Sequence, residues 1–392
     1  MKKEICLCSI QERIELYNVK YPNSYNYIIL KLCFWLVKQI FKKETVKKSN
    51  NQKYKVAFLL SGGVGDIICS MPYISKFYSN FYLNNDIDIF VHETREIIEG
   101  LFLHKNDYRR LDIFNSFSPE SYDLVILLIR FPKVLRFKKS HDIELNAYID
   151  YLKKVYKDNP IMFESGTQGD AIANAYSLLE GNVRSSQADL GQKLKVKSSD
   201  FTIDVVDDVT EVLSKFSLLN KQYITIQRGV GEADLTKESS TRLWEKSKYD
   251  EICKLLKSQY SDVKIVQLGV SDNYAIKNTD YDLRGKTSFE ELKVLLKFSK
   301  LHISTEGGMV HLRHYLKGGK SLVLFGPTSK DFYGYPENIN LSASLCANCE
   351  WVSNQWREKC IKTGSYAECM RLLTPEKILQ SIIDQGVLSN VR

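Results

Sequence analysis

The chain has 392 residues, long enough for two domains of ordinary size, each with its own core. Apolar residues make up 44%, which is normal for a soluble globular protein, and there is no internal repeat or low-complexity tract. Lys and Arg outnumber Asp and Glu by 55 to 47, a net +8 that favours anionic partners without choosing among phosphates, membrane surfaces and nucleic acid.

The first residues, "MKKEICLCSIQERIEL", have two lysines but no hydrophobic core before Gln11 and Glu12, so no signal peptide is expected and the location predicted is cytoplasmic. Residues 27–43, "YIILKLCFWLVKQIFKK", are interrupted by Lys31 and Lys38 and are too short to span a bilayer. On a helix, Lys31, Lys38 and Lys42 share one face, with Ile29, Leu32, Phe34, Leu36 and Ile40 largely away from it. Such a leader, over residues 1–50, can lie on an anionic membrane or pack on the protein's own core. A polar stretch, 44–53, reads as a linker.

Alternation begins after it. Strands are predicted at 54–60, 86–91 and 122–129, with a helix following the Gly-rich turn after the first. Residues 141–156 read as helix and 183–199 as polar loop. A second alternating block has strands at 222–227, 263–269, 300–305 and 320–326 and helices at 243–260, 288–299, 309–316 and 374–384. This pattern predicts an α/β protein of two doubly wound halves, 51–215 and 216–392, the second carrying a cysteine-rich insert at 344–370. Ligands of such sheets lie outside the carboxyl ends of the strands.

Three stretches carry chemistry. "LLSGGVGDIICSMP" (59–72) is strand, turn with Gly62, Gly63 and Gly65, then helix; it offers free backbone N–H groups but is neither G-x-G-x-x-G nor a Walker A loop. Asp66 opens that helix, either as a cap or as a carboxylate placed for general-base work. "HISTEGGMVHLRHYL" (302–316) repeats the design with Gly307 and Gly308. There His311 is a candidate phosphate contact or a packed histidine, and His311 with His314 lacks metalloprotease spacing. "QRGVGEADLTKESSTRLW" (227–244) holds Arg228 and Arg242 around a loop that can cradle a diphosphate or simply be solvated.

Of nine cysteines, four fall in "SLCANCEWVSNQWREKCIKTGSYAECM", spaced C-x2-C-x10-C-x8-C. Cys346, Cys349, Cys360 and Cys369 form a tight knuckle plus a second arm, which suits a structural zinc or iron; disulfides are disfavoured by compartment and plain buried thiols by the clustering. The role expected is architectural, a clip on a loop with no core of its own.

In order, "GGVGDIICSMP", "TRLW", "EGGMVHL" followed by "FGPT", and the cysteine segment resemble family 9 glycosyltransferases, the lipopolysaccharide heptosyltransferase group, over residues 54–385. The resemblance implies two facing Rossmann-like domains in the GT-B arrangement and inverting sugar transfer with no cofactor for catalysis. By it, Asp66 is the general base on the acceptor side beside Gly62, Gly63 and Gly65. Gly229, Arg242, Thr287, Glu306, Gly307, Gly308, Met309 and His311 bind the donor, with Thr287 near its base. Glu306 stands where the family has Asp and Gly307 where it has a hydroxyl residue, which alters the sugar and phosphate contacts.

The default donor is ADP-heptose. The acceptor implied is a lipopolysaccharide core or other surface glycan, with peripheral inner-membrane contact. The cysteine tail is similar to the iron-binding finger of a subgroup that heptosylates autotransporter proteins, so a protein acceptor is the alternative. A non-catalytic nucleotide-sugar or nucleic-acid binder is a third reading, but no nucleic-acid partner is expected because no binding signature is present.

Overall fold

The computed structural model describes residues 54–60, 62–81, 85–91, 101, 110–113, 117–164, 167–229, 240–343 and 346–388. The leader and linker expected at 1–53, and most of the 229–242 loop, lie outside the described residues.

Strand β1 (Tyr54–Leu60) is buried from Val56 onward, and helix α1 (Val64–Phe81) follows it after the Gly-rich turn. The helix buries Ile67, Ile68, Met71, Ile74, Phe77 and Phe81, a helical spacing that wraps one face around to the sheet. Next come β2 (Asn85–Val91), β3 (Arg110–Ile113), β4 (Leu124–Leu128) and β5 (Pro132–Phe137). They form a five-stranded sheet in the order β3-β2-β1-β4-β5, parallel except for β4 against β5. The sequence reading had no β3 and no antiparallel β5: "PKVLRF" is only half-buried, as edge strands are, and lacks the apolar run that marks a central parallel strand.

Helices α2 (Ile143–Asp158), α3 (Pro160–Glu164) and α4 (Thr167–Leu179) lead out of this sheet. Asp142 caps α2 by accepting the Leu145 N–H at 2.9 Å. Residues 183–199 are loop and single 3₁₀ turns, as their polarity predicts, but the stretch 184–190 is not on the surface. Arg184, Ser185, Ser186, Gln187 and Asp189 are all buried. The loop survives burial because its backbone is satisfied: the Asp189 carboxylate accepts the N–H groups of Leu194 and Val196 at 2.8 and 2.9 Å.

After α5 (Val209–Lys215) comes β6 (Tyr223–Ile226), then α6 (Lys246–Gln259), β7 (Lys264–Gln267), β8 (Tyr281–Asp282) and α7 (Phe289–Phe298). They are followed by β9 (His302–Thr305), α8 (Gly308–Tyr315), β10 (Ser321–Phe325), α9 (Lys330–Tyr333) and β11 (Ile339–Ser342). Short α10 (Glu368–Leu372) and α11 (Pro375–Asp384) close the described chain. The second sheet is parallel, in the order β11-β10-β9-β6-β7-β8.

In each sheet the chain moves outward from a central strand and then returns to that strand's other side. The reversal falls between β1 and β4 in the first sheet and between β6 and β9 in the second. Crevices form at such points because neighbouring crossovers leave in opposite directions. The Gly62–Gly65 turn ends β1, and the Glu306–Gly308 turn ends β9. One apolar cluster runs from Phe58, Ile67 and Phe77 through Leu190 and Phe201 into Leu296, Leu312 and Tyr315, so the halves share a core. Among the described residues no helix is long and apolar enough to cross a membrane.

Candidate active site

The two turns face each other. A side-chain carbon on Gly65 would lie 3.1 Å from the Gly308 Cα and 3.3 Å from His311 Cδ2, so α1 and α8 approach at their first turns so closely that a methyl group fits only if a neighbour gives by a few tenths of an ångström. Gly62 has φ +114°, and a Cβ there would sit 2.7 Å from the Asp66 Cβ; only glycine fits this turn. Gly63 donates its N–H to Asp66 Oδ2 at 3.1 Å, which makes the carboxylate a cap of α1. Capping does not bury the carboxylate, because 49% of its side chain stays open to solvent.

Asp66 Oδ1 also accepts from Arg184 Nη2 at 2.7 Å. The surrounding walls strip solvation and oppose ionisation. Even so, the charge and hydrogen bond of Arg184, with the further charge of Arg130, hold the carboxyl below the ordinary aspartate range. Arg184 is fixed in turn: its backbone N–H donates to Phe332 O at 2.9 Å, and its Nη1 donates to Gln187 Oε1 at 3.4 Å. Arg130 pairs with Asp170 of α4 and lies over the Trp351 ring, 4.6 Å from its centroid.

Across the groove, Arg242 Nη2 donates to the Glu306 backbone oxygen at 3.0 Å and to its Oε2 at 2.8 Å. Glu306 Oε1 lies 3.6 Å from His311 Nε2, and His311 Nδ1 is 2.7 Å from the Tyr335 hydroxyl. Burial opposes charge on both. For Glu306 the Arg242 and His311 charges win and lower its carboxyl; for His311 the neighbouring Cys69 and Glu306 win and raise it to about 10. At neutral pH the wall therefore presents two cations, Arg242 and His311, over one carboxylate.

Of the other residues singled out in the sequence, Gly229 packs on Asn273 at the end of β6. Met309 is half-buried in α8 against the shared core, and Thr287 is half-buried in the loop before the Ser288 cap of α7. Neither Met309 nor Thr287 is joined to the Arg242–Glu306–His311 group by a described hydrogen bond.

Four residues on these walls escaped the sequence reading: Arg184, Arg130, Tyr335 and Glu350. None belongs to a recognisable spacing. The one available signal was Glu350 itself, an acid directly after a C-x2-C knuckle. Asn174 Nδ2 donates to its Oε1 at 3.2 Å, while burial first, and then the Glu306 charge, push its carboxyl up to about 7.

Cys346, Cys349, Cys360 and Cys369 are free thiols, as are Cys69 and Cys253 among the described residues. Cys349, Cys360 and Cys369 line one small cavity with Thr241 and Trp356, and Cys369 lies within range of the charges of the other three. Backbone N–H groups of Lys362, Thr363 and Glu368 point at the Cys360 sulfur, a setting that suits a thiolate. Four gathered sulfurs fit a tetrahedral structural ion as a donor set. In this geometry, however, no group of three or more His, Cys, Asp or Glu among the described residues is drawn tightly enough to hold one.

Residues 182–369 match the profile of glycosyltransferase family 9 (heptosyltransferase), just under half the chain. Over these residues the chain is similar to glycosyltransferase family 9. The match spans the second sheet, its Glu306–His311 turn and the cysteine segment. No curated protein sequence matches.

Among solved structures, the fold of this chain is similar to an iron-containing dodecameric glycosyltransferase, TibC, from enterotoxigenic E. coli. The TM-score is 0.58 at 14% identity, covering 85% of this chain and 79% of that one. It is also similar to E. coli ADP-heptose lipopolysaccharide heptosyltransferase II, with TM-score 0.51 at 13% identity over 84% of this chain and 98% of that one. A family 9 glycosyltransferase from Veillonella parvula gives TM-score 0.50 at 13% identity, covering 84% and 96%. These likenesses show the fold: α/β with parallel sheets, matching GT-B-type heptosyltransferase structures. The protein is a heptosyltransferase-like glycosyltransferase.

Proposed function

We propose that the protein transfers a sugar, heptose from ADP-heptose by default, to a hydroxyl of a lipopolysaccharide core or other surface glycan with inversion at the anomeric carbon. The observation that carries this reading is the juxtaposition of two chain-reversal turns: Asp66 opens one helix, and Arg242, Glu306 and His311 line the other wall. The donor's diphosphate lies along the second wall near Gly307 and Gly308, with Gly229 and Thr287 toward the nucleoside. Asp66 takes the acceptor's proton as the acceptor oxygen bonds to the anomeric carbon. The bond from that carbon to the β-phosphate oxygen breaks, and the nucleoside diphosphate leaves with the electron pair. Arg242 and protonated His311 receive its growing charge; preorganised cations are worth more in a groove than in water.

The reading needs no catalytic cofactor. Cys346, Cys349, Cys360 and Cys369 are the residues that would hold a structural zinc or iron, which would tie down the segment between β11 and α10. The activity belongs on the cytoplasmic face of the inner membrane, with the protein peripheral to it. A polypeptide hydroxyl as acceptor is the second reading, supported by the cysteine spacing. Labelled donor incubated with lipopolysaccharide core and with polypeptide acceptors separates the two.

The test of the base is Asp66→Asn. Transfer should fall by about 10²–10⁴-fold, the range for loss of a positioned general base, with donor affinity kept. Near-normal turnover would remove Asp66 from the chemistry.

A further inference from the structure

A continuous hydrogen-bonded chain joins the cysteine segment to Asp66. Glu350 Oε1 accepts from Asn174 Nδ2 at 3.2 Å, and Asn174 Oδ1 accepts from Gln187 Nε2 at 3.2 Å. Gln187 Oε1 accepts from Arg184 Nη1 at 3.4 Å, and Arg184 Nη2 donates to Asp66 Oδ1 at 2.7 Å. Three links run the same way, donor to acceptor from Arg184 through Gln187 and Asn174 to Glu350, and Arg184 donates in the other direction to Asp66; an acceptor at the Glu350 end fixes which face each amide turns to the next. Glu350 Oε1 takes the Asn174 Nδ2 hydrogen and so turns the Asn174 Oδ1 toward Gln187. Gln187 is 1% exposed and Asn174 7%, which keeps water from substituting for a lost link.

From this geometry we infer that Glu350 is a positioning residue for transfer: it orients Arg184 and so fixes the aim and ionisation of Asp66. The cysteine segment is then part of the catalytic apparatus as well as a clip, since Glu350 follows Cys349 directly and Trp351 beside it takes the Arg130 guanidinium on its ring. The inference rests on Asp66 being the base. The charged groups facing Asp66 are Arg184 from the buried loop, Arg130 with its partner Asp170, and Glu306 and His311 from the opposite wall. Arg184 alone of these hydrogen-bonds the carboxylate among the described residues.

The sign follows. A guanidinium held on Asp66 keeps it ionised to lower pH; a guanidinium that wanders lets its proton affinity rise. Glu350→Leu removes one of the two acceptors of Asn174 Nδ2 and leaves only the Tyr333 hydroxyl at 3.3 Å, whereas Glu350→Gln keeps both. In kcat/KM profiles across pH, Glu350→Leu should move the acid limb upward by roughly half to one pH unit. At the optimum it should lower kcat several-fold, with donor KM near wild type, and Glu350→Gln should restore the wild-type limb. Asn174→Leu breaks the same chain from α4 and should copy Glu350→Leu, which covers the case in which the latter fails to fold. An unmoved limb in both leucine variants, or an equal shift in Glu350→Gln, overturns the inference and leaves the transferase reading standing. Full activity in Asp66→Asn overturns both.

Discussion

His311 and Asp66 face each other across the groove and answer burial in different ways. Asp66 keeps half its side chain in solvent and is held ionised by Arg184. His311 is 4% exposed, yet its neighbours hold its proton up to about 10. A base whose folded value lies above its unfolded 6.5 adds stability that is complete below about 6.5, declines as pH rises and is gone above about 10. The Tm difference between wild type and His311→Gln should therefore be largest near pH 6 and shrink toward pH 10. A difference growing over that interval would mean that His311 is buried neutral. Since His311 stays cationic through pH 7–9, donor affinity should be flat there for the wild type. These residues show what could be read in advance: the E-G-G-x-x-H run marked Glu306 and His311, whereas Arg184 sits in "VRSSQ", which looks like any solvated loop. Only burial of that loop makes its arginine a partner of Asp66.

At the scale of elements, the site depends on two helix starts meeting through bare backbone. Gly65 and Gly308 are the contact, and a methyl group at 65 would press on the Gly308 Cα at 3.1 Å, closer than side-chain carbons ordinarily come. Gly65→Ala should wedge α1 from α8 and cost about 1–3 kcal/mol, as overpacking does. It should also lower turnover by roughly 10²-fold, the penalty for shifting reacting groups by about an ångström. Urea unfolding and initial rates measure the two effects. A variant with wild-type rate would show that the close approach is incidental to catalysis. The elements themselves were legible where local pattern sufficed: β1, α1, β4, α6 and α7 follow their apolar periods. The weak strands were not, because β3, β5, β8 and β11 owe their existence to a neighbouring strand already in place.

For the whole molecule, one face of the second sheet packs with α6 and α11 in a separate apolar cluster, with Trp244 and Cys369 inside it, whereas Tyr223 and Val266 of that sheet join α7, α8 and the first sheet in the shared core. The cysteine segment bridges these bodies. Cys369 is buried in the second cluster, and Trp351 and Glu350 reach Arg130 and Asn174 of the first half. If the four cysteines hold an ion, purified protein should contain about one zinc or iron per chain. Cys360→Ser should lose it and melt several degrees lower, because binding energy gained only on folding is stability. Elemental analysis beside thermal unfolding decides it; metal-free protein with an unchanged Tm would leave the segment held by packing alone.

Apolar periods and the glycine turns determined that this chain builds two mainly parallel sheets with ligand-facing turns, and the resemblance of its ordered motifs to family 9 glycosyltransferases pointed to sugar transfer. Those features are local, and local sequence encodes them because strand period, turn chemistry and helix starts act over a few residues. Tertiary structure alone decided which residues complete the groove. Arg184, Arg130, Asn174 and Glu350 lie far apart in the chain, and each acquires its role only when long-range packing removes water from around it. Charge and hydrogen-bond partners then become matters of geometry that no spacing in the sequence records.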